Sequence, residues 1–387
     1  MWRQATRVGI VAAALMGGRA SAVTITVHNP TGDSWADAPV VLPWTPAMAS
    51  LDDGPLVLIG AETLAAQRDD LDADGKTDEL AFVVNLAAGE SKEYRLAPAP
   101  ADFRATKRAH ARMSLKGYDG VGWESDVIGW RIYWNLDNAT DLFGKTKPIL
   151  SLDGWATPGV SHQVENEYGV DVLKVGRSIG PGGFGAWING RIEKVTNVMK
   201  DYQIRVDGPV RAVVDLEYVY WQPGPVPDLS RQAITSNRLP HYDLAVRMTI
   251  FAGQRWGEAD IAVRPYRGSP MPEIVTGLPK HEETELIRDK AAGILARWGN
   301  QALGDGEKPK AGNLGMAVLV NPAQVVDYGE TEFDTYVRLK PDNGRVRYRY
   351  HGSWWKEPGA AKSAQEYRAM LEAVIRLKPV VRVDAGR

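Results

Sequence analysis

The 387-residue chain contains no cysteine. Disulfides, thiol catalysis and thiolate metal sites are therefore excluded, and the core must supply stability by itself. A basic excess is missing too: 46 Lys and Arg stand against 48 Asp and Glu, a net charge of −2. That balance argues against a nucleic-acid partner. Beyond the N-terminus there is no long apolar run, so no later segment reads as a membrane span. Helical periodicity is scarce. What is present is ordinary globular composition, 44% hydrophobic and 24% charged, with 39 Gly and 24 Pro. That much glycine and proline favours many turns between short strands.

The first residues read as a secretory signal. Arg3 and Arg7 precede a short apolar core, Val8 to Met16, and Ala20-Ser21-Ala22 supplies the small-residue cleavage pattern. The mature chain is expected to begin at Val23 and to be periplasmic or secreted, with no membrane insertion after cleavage.

The remainder predicts an all-β protein. Short alternating runs such as Val23-Thr24-Ile25-Thr26-Val27, Leu56 to Ile59 and Leu80 to Leu86 suggest a small β-sandwich over residues 23–100. Ala97-Pro98-Ala99-Pro100 marks the boundary. Longer runs rich in β-branched and aromatic residues follow, among them Val127 to Trp134, Val210 to Trp221 and Asp243 to Phe251. They predict a large antiparallel β-sandwich over 101–387 with a few peripheral helices. One helix is clear: Ser363-Ala364-Gln365-Glu366 forms a capping box, with Tyr367, Met370, Leu371 and Val374 at helical spacing. Glu282 to Trp298 holds helix formers interrupted by Gly293, and its type stays open.

Four stretches carry side chains suited to chemistry. In the first, Asp70, Asp72, Asp74 and Asp78 surround the turn residue Gly75. With the Lys76 carbonyl as backbone ligand, its side chain pointing away, these oxygens suit one structural calcium ion. The loop resembles the calcium loops of dockerins and integrin propeller blades; the competing reading is a solvated hairpin turn. In the second, Trp123, Glu124, Asp126, Arg131 and Tyr133 combine stacking, acidic and guanidinium groups on neighbouring strand positions, either a sugar-binding surface or a central core strand. The third places His162, Glu165, Tyr168, Asp171 and Lys174 ahead of a glycine-rich loop, with His162 a candidate general base. The fourth comprises His241-Tyr242 and the paired tryptophans of His351-Gly352-Ser353-Trp354-Trp355-Lys356. His28, His110 and His281 read as structural or surface residues, and Arg104 to Arg112 as a solvated strand face.

These motifs occur in a familiar order: Trp123-Glu124-Ser125-Asp126, Arg131-Ile132-Tyr133, Asp171-Val172-Leu173-Lys174-Val175-Gly176, then Gly352-Ser353-Trp354-Trp355-Lys356. The chain resembles the bacterial domain-of-unknown-function 4861 family over nearly its whole mature length. That family's pattern has asparagine at position 125 and arginine at 127, where this chain has Ser125 and Val127. The resemblance implies carbohydrate chemistry within polysaccharide utilisation, especially of uronate-containing glycans. The resulting expectation is an exported enzyme acting on uronic-acid-containing oligosaccharides by β-elimination, as a lyase or dehydratase. His162 or His241 would serve as base, Tyr168 or Tyr242 as acid, and Arg131 or Lys174 would neutralise the substrate carboxylate. Trp123, Glu124, Asp126, Trp354, Trp355 and Lys356 would help bind the sugar. No organic cofactor is expected. The alternatives are a glycoside hydrolase using Glu124 and Asp126 as its carboxylate pair, and a non-catalytic glycan-binding accessory protein.

Overall fold

The computed structural model describes residues 23–385 except 52–53, 197, 225–239, 267 and 302–311. The expected signal segment, 1–22, lies outside the described residues.

Strands β1 (Val23–His28), β2 (Trp35–Pro43), β3 (Leu56–Ile59), β4 (Thr63–Asp69), β5 (Glu79–Leu86) and β6 (Ser91–Pro98) build the first sheet. Strict alternation shapes it: Val23, Ile25 and Val27 of β1 are buried while their neighbours are half-exposed. β4 pairs with both β3 and β5, so the sheet curls around one small core containing Trp35, Met48, Phe82 and Tyr94. The second sheet comprises β7 (Ala109–Ser114), β8 (Gly120–Ser125), β9 (Ile128–Tyr133), β10 (Thr140–Gly144) and, beyond the short helix α1 (Leu152–Trp155), β11 (Val170–Asp171).

Two larger sheets then interleave along the chain. β12 (Phe184–Ile188) and β13 (Arg191–Lys194) begin a third sheet, and β14 (Met199–Asp207), β15 (Arg211–Trp221), β16 (Tyr242–Phe251) and β17 (Trp256–Pro265) begin a fourth. β18 (Glu273–Pro279) returns to the third; β19 (Thr284–Asp289), β20 (Ile294–Asn300) and β21 (Asn313–Val320) extend the fourth. β22 (Val325–Glu330) and β23 (Asp334–Leu339) complete the third, and β24 (Arg345–Trp354) fills the centre of the fourth, between β17 and β21. The stretch whose type the sequence leaves open is thus the β19–β20 hairpin, with Gly293 at φ +73° in its turn.

The clear helix is α2 (Ala364–Arg376), where Ser363 Oγ accepts from the Glu366 N–H at 3.1 Å. After it the chain crosses back: β25 (Val380–Ala385) pairs antiparallel with β1, from Val23 opposite Ala385 to His28 opposite Val380. The small sheet is therefore made from both ends of the described chain. Among the described residues no helix is long and apolar enough to cross a membrane.

The main core draws on the second, third and fourth sheets. Trp123 and Trp130 both meet Tyr350 edge to face, and Trp123 Nε1 donates to the Tyr350 hydroxyl at 2.7 Å. Charged contacts join this body to the small sheet. Arg211 reaches Asp69 and Glu79, each at 2.6 Å. Arg108 bridges Asp37 and Asp126, both at 2.7 Å. Within the large body, His110 binds Asp207 at 2.8 Å. In the segment Arg104 to Arg112, Arg104, Lys107 and Arg112 are exposed as expected of a solvated face, whereas Arg108 and His110 are drawn in by carboxylates of distant elements.

Candidate functional site

The site begins with two glycines. On β8, Val121 and Trp123 point into the main core, while Gly120 and Gly122 leave the opposite face of the strand bare. A Cβ on Gly122 would lie 2.8 Å from a Leu152 methyl, so the glycine is what lets α1 lie down on the sheet. Register places Gly122, Arg131 and Asp141 in one row across β8, β9 and β10. Leu152 and Tyr118 fill the space left by Gly122, and His162 of the segment 156–169 with Asp171 of β11 closes over the neighbouring Arg131.

Five polar side chains meet there. Arg131 Nη2 donates to Asp141 Oδ2 at 2.5 Å, to Asp171 Oδ2 at 2.8 Å and to the Tyr133 hydroxyl at 2.5 Å. Its Nη1 donates to the Tyr118 carbonyl at 2.8 Å and lies 3.1 Å from His162 Nε2. The Tyr133 hydroxyl in turn donates to Asp141 Oδ2 at 3.0 Å. Arg131 and Asp141 are sealed in, at 3% and 0% side-chain exposure, whereas His162 and Asp171 each keep 14% and form the accessible edge.

The electrostatics separate the two edge groups. Burial, and then the Asp141 charge, push the Asp171 carboxyl up to about 8 despite the opposing pull of Arg131. Burial raises Asp141 as well. Arg131 donates to it through both Nε and Nη2, and Tyr133 and the Leu142 N–H donate too, so the extra proton rests on Asp171. Burial and the neighbouring guanidinium bring His162 down to about 4. At neutral pH the edge therefore presents an uncharged imidazole and a protonated carboxylic acid about one guanidinium, the pairing that proton transfer requires.

The other residues singled out in the sequence distribute differently. Tyr168 lies in the covering segment, its ring over Gly154 and its carbonyl accepting from Ser151 Oγ at 2.6 Å. His241 and Tyr242 stand on β16 and the residue before it. The His241 ring stacks on Tyr220 with centroids 4.3 Å apart, and Tyr242 donates to the Pro270 carbonyl, so neither touches the Arg131 cluster. Glu124 is fully buried and ion-paired with Lys145 at 2.5 Å while accepting from the N–H groups of Ser151 and Leu152. Asp126 binds Arg108 and the Gly253 N–H. Trp123 and Trp354 belong to the core, at 0% and 1% exposure, where no sugar reaches them. Trp355 is exposed, and Lys356 next to it reaches Glu165 of the covering segment at 2.6 Å. The Lys174 carbonyl accepts from His281 Nε2.

Asp141 is the participant that sequence reasoning missed. Its signal is confined to register: on the run Thr140-Asp141-Leu142-Phe143 it stands directly opposite Arg131.

The acidic loop between β4 and β5 brings carboxylate oxygens of Asp70, Asp72 and Asp78 within 4.8 Å of one another. Asp74 turns instead to Lys76, whose ammonium binds it at 2.7 Å rather than pointing away. Asp70 Oδ1 is buried without a hydrogen-bond partner, so the three carboxylates have the chemistry to accept a hard cation.

Residues 27–379 match the family described as "Domain of unknown function (DUF4861)", and the chain belongs to it. No curated protein matches the sequence. Among solved structures, two from Enterococcus faecalis are similar: a protein in glycosyl hydrolase family 38, at 11% identity and a TM-score of 0.49, and an alpha-mannosidase, at 11% and 0.48. Each alignment covers 96% of this chain but only 48% and 47% of the other, so the chain spans about half the length of these structures.

Proposed function

We propose that the protein is an exported carbohydrate-active enzyme that cleaves or dehydrates uronic-acid-containing oligosaccharides by β-elimination at the Arg131 cluster. The reading rests on one observation: His162 and Asp171 flank the same guanidinium, at 3.1 and 2.8 Å, with their proton affinities driven apart. In the reaction, the substrate displaces the Arg131 N–H from His162 Nε2, and the freed neutral imidazole takes the proton from the carbon beside the substrate carboxylate. The electron pair of that C–H bond becomes the new C=C bond, and the bond to the oxygen substituent on the adjacent carbon breaks. Asp171 gives its proton to the departing oxygen, with Tyr133 holding the network in register. Arg131 has partners for all its donors, so it acts by its charge, stabilising the enolate-like intermediate, and by positioning its neighbours.

The hydrolase alternative has less support. Glu124 and Asp126 bind separate partners, Lys145 and Arg108, and Glu124 is sealed from solvent, so the two do not face a common bond. We further propose that Asp70, Asp72 and Asp78 hold a structural calcium ion, which would neutralise the crowded carboxylates and stiffen the hairpin.

The test is incubation with oligogalacturonate and glucuronate-containing oligosaccharides, with products read by absorbance and mass. An unsaturated product, lost in His162→Ala, supports elimination. Saturated cleavage products would move the protein to the hydrolases, and binding without any product would make it an accessory protein.

A further inference from the structure

A second surface lies apart from the Arg131 cluster. It is a groove of about 790 Å³ on the outer face of the fourth sheet, walled by the β4–β5 hairpin on one side and the end of α2 on the other. Its lining carries six cationic side chains against three carboxylates, in a chain whose net charge is −2.

The sequence of β24 creates this asymmetry. In Arg345-Val346-Arg347-Tyr348-Arg349-Tyr350 the alternate residues Val346, Tyr348 and Tyr350 enter the core, so all three arginines project to the outer face. Register sets Asp260 opposite Arg347 and Glu258 opposite Arg349. Arg349 is committed to structure: it binds Glu258 and the Val374 carbonyl, and its guanidinium lies 4.3 Å from the Trp256 ring. Arg345 and Arg347 are different. Their Nε atoms share one carboxylate, at 2.7 Å from Asp260 Oδ1 and 2.8 Å from Asp260 Oδ2.

One carboxylate cannot neutralise two guanidiniums, and the pair keeps 53% and 68% side-chain exposure. The Arg347 Nε–H donates to Asp260 Oδ2, which fixes the plane of that guanidinium, while Arg345 is held beside it by charge alone; the terminal nitrogens of both are left for a bidentate oxyanion. The acidic calcium loop does not cancel this charge. Its contact with the groove is the Leu71 carbonyl on Arg247 of β16, and β24 lies two strands further across the sheet, about 10 Å away.

We propose that this groove is a non-catalytic binding site for a polyanionic chain, with Arg345 and Arg347 each gripping an oxyanion. A uronate carboxylate and a sulfate ester offer the same chemistry, and experiment can separate them. Affinity electrophoresis of the full chain through polygalacturonate, dextran sulfate and neutral dextran is the measurement. Retardation by polygalacturonate alone assigns the oxyanion as carboxylate, by dextran sulfate alone as sulfate, and by both as either. In each case the retardation should fade with added salt. The double variant Arg345→Ala/Arg347→Ala, at exposed positions, should melt as the parent does and bind roughly tenfold or more weakly. Unchanged binding by that variant, equal retardation by neutral dextran, or no retardation by either polyanion overturns the proposal. Because His162→Ala should bind like the parent, failure of the elimination reading and failure of this one are distinguishable.

Discussion

At the scale of single residues, this protein uses buried charge for two different purposes. Lys145 and Glu124 are both fully buried, and each is saturated: the ammonium also reaches the Ser125 and Ile149 carbonyls, at 2.6 and 2.8 Å. A pair with every lone pair and proton engaged is structural. Lys145→Met strands the Glu124 carboxylate, and should cost about 3–5 kcal/mol in urea unfolding; a loss under about 1 kcal/mol would show that the pair does not hold α1 to the sheet. The Arg131 cluster, with two carboxylates for one guanidinium, retains a proton at neutral pH. Activity should therefore rise as His162 loses its proton above about 4 and fall as Asp171 loses its own above about 8. Asp171→Asn cannot ionise, so any residual activity of that variant should lack the alkaline limb.

The sequence makes Arg131, Tyr133 and His162 legible, because polar groups inside aromatic runs or beside glycine-rich loops are unusual. It does not reveal which side of a strand faces solvent. Trp123 and Trp354 carry the composition of a sugar platform but are core side chains between the second and fourth sheets, Trp123 against Tyr350 of β24 and Trp354 against Gly144 of β10.

At the scale of elements, alternation and turn chemistry accounted for most strands, and the capping box located α2. The β19–β20 hairpin was ambiguous because its residues favour helix locally; pairing with β21 overrides that preference. The return of β25 to the first sheet was also hidden, since strand partners hundreds of residues apart leave no local trace. Two measurements address these elements. Ser363→Ala removes the acceptor for the Glu366 N–H and should cost about 1 kcal/mol in thermal or urea unfolding. Removing residues 380–387 exposes the β1 edge, and should lower the melting temperature and speed hydrogen exchange in β1 and β6 ahead of β15 and β16. Uniform protection after that truncation would mean that β25 contributes nothing to the small sheet.

At the scale of the whole molecule, two curved bodies are joined by Arg108 and Arg211, and their hairpin carries the carboxylates proposed to hold calcium. Native mass spectrometry of residues 23–387 should retain one calcium ion after dialysis, and Asp72→Ala should lose it; a metal-free spectrum for both would leave a solvated turn. The molecule's organisation separates the small His162–Asp171 edge on the second sheet from a broad cationic face on the fourth. The most direct test of the central claim is the ultraviolet absorbance of unsaturated uronate during incubation with uronic-acid oligosaccharides, comparing the parent with His162→Ala and Asp171→Asn. The account predicts a steady rise for the parent and a loss of at least roughly a hundredfold in rate for each variant. Equal rates in all three would contradict it.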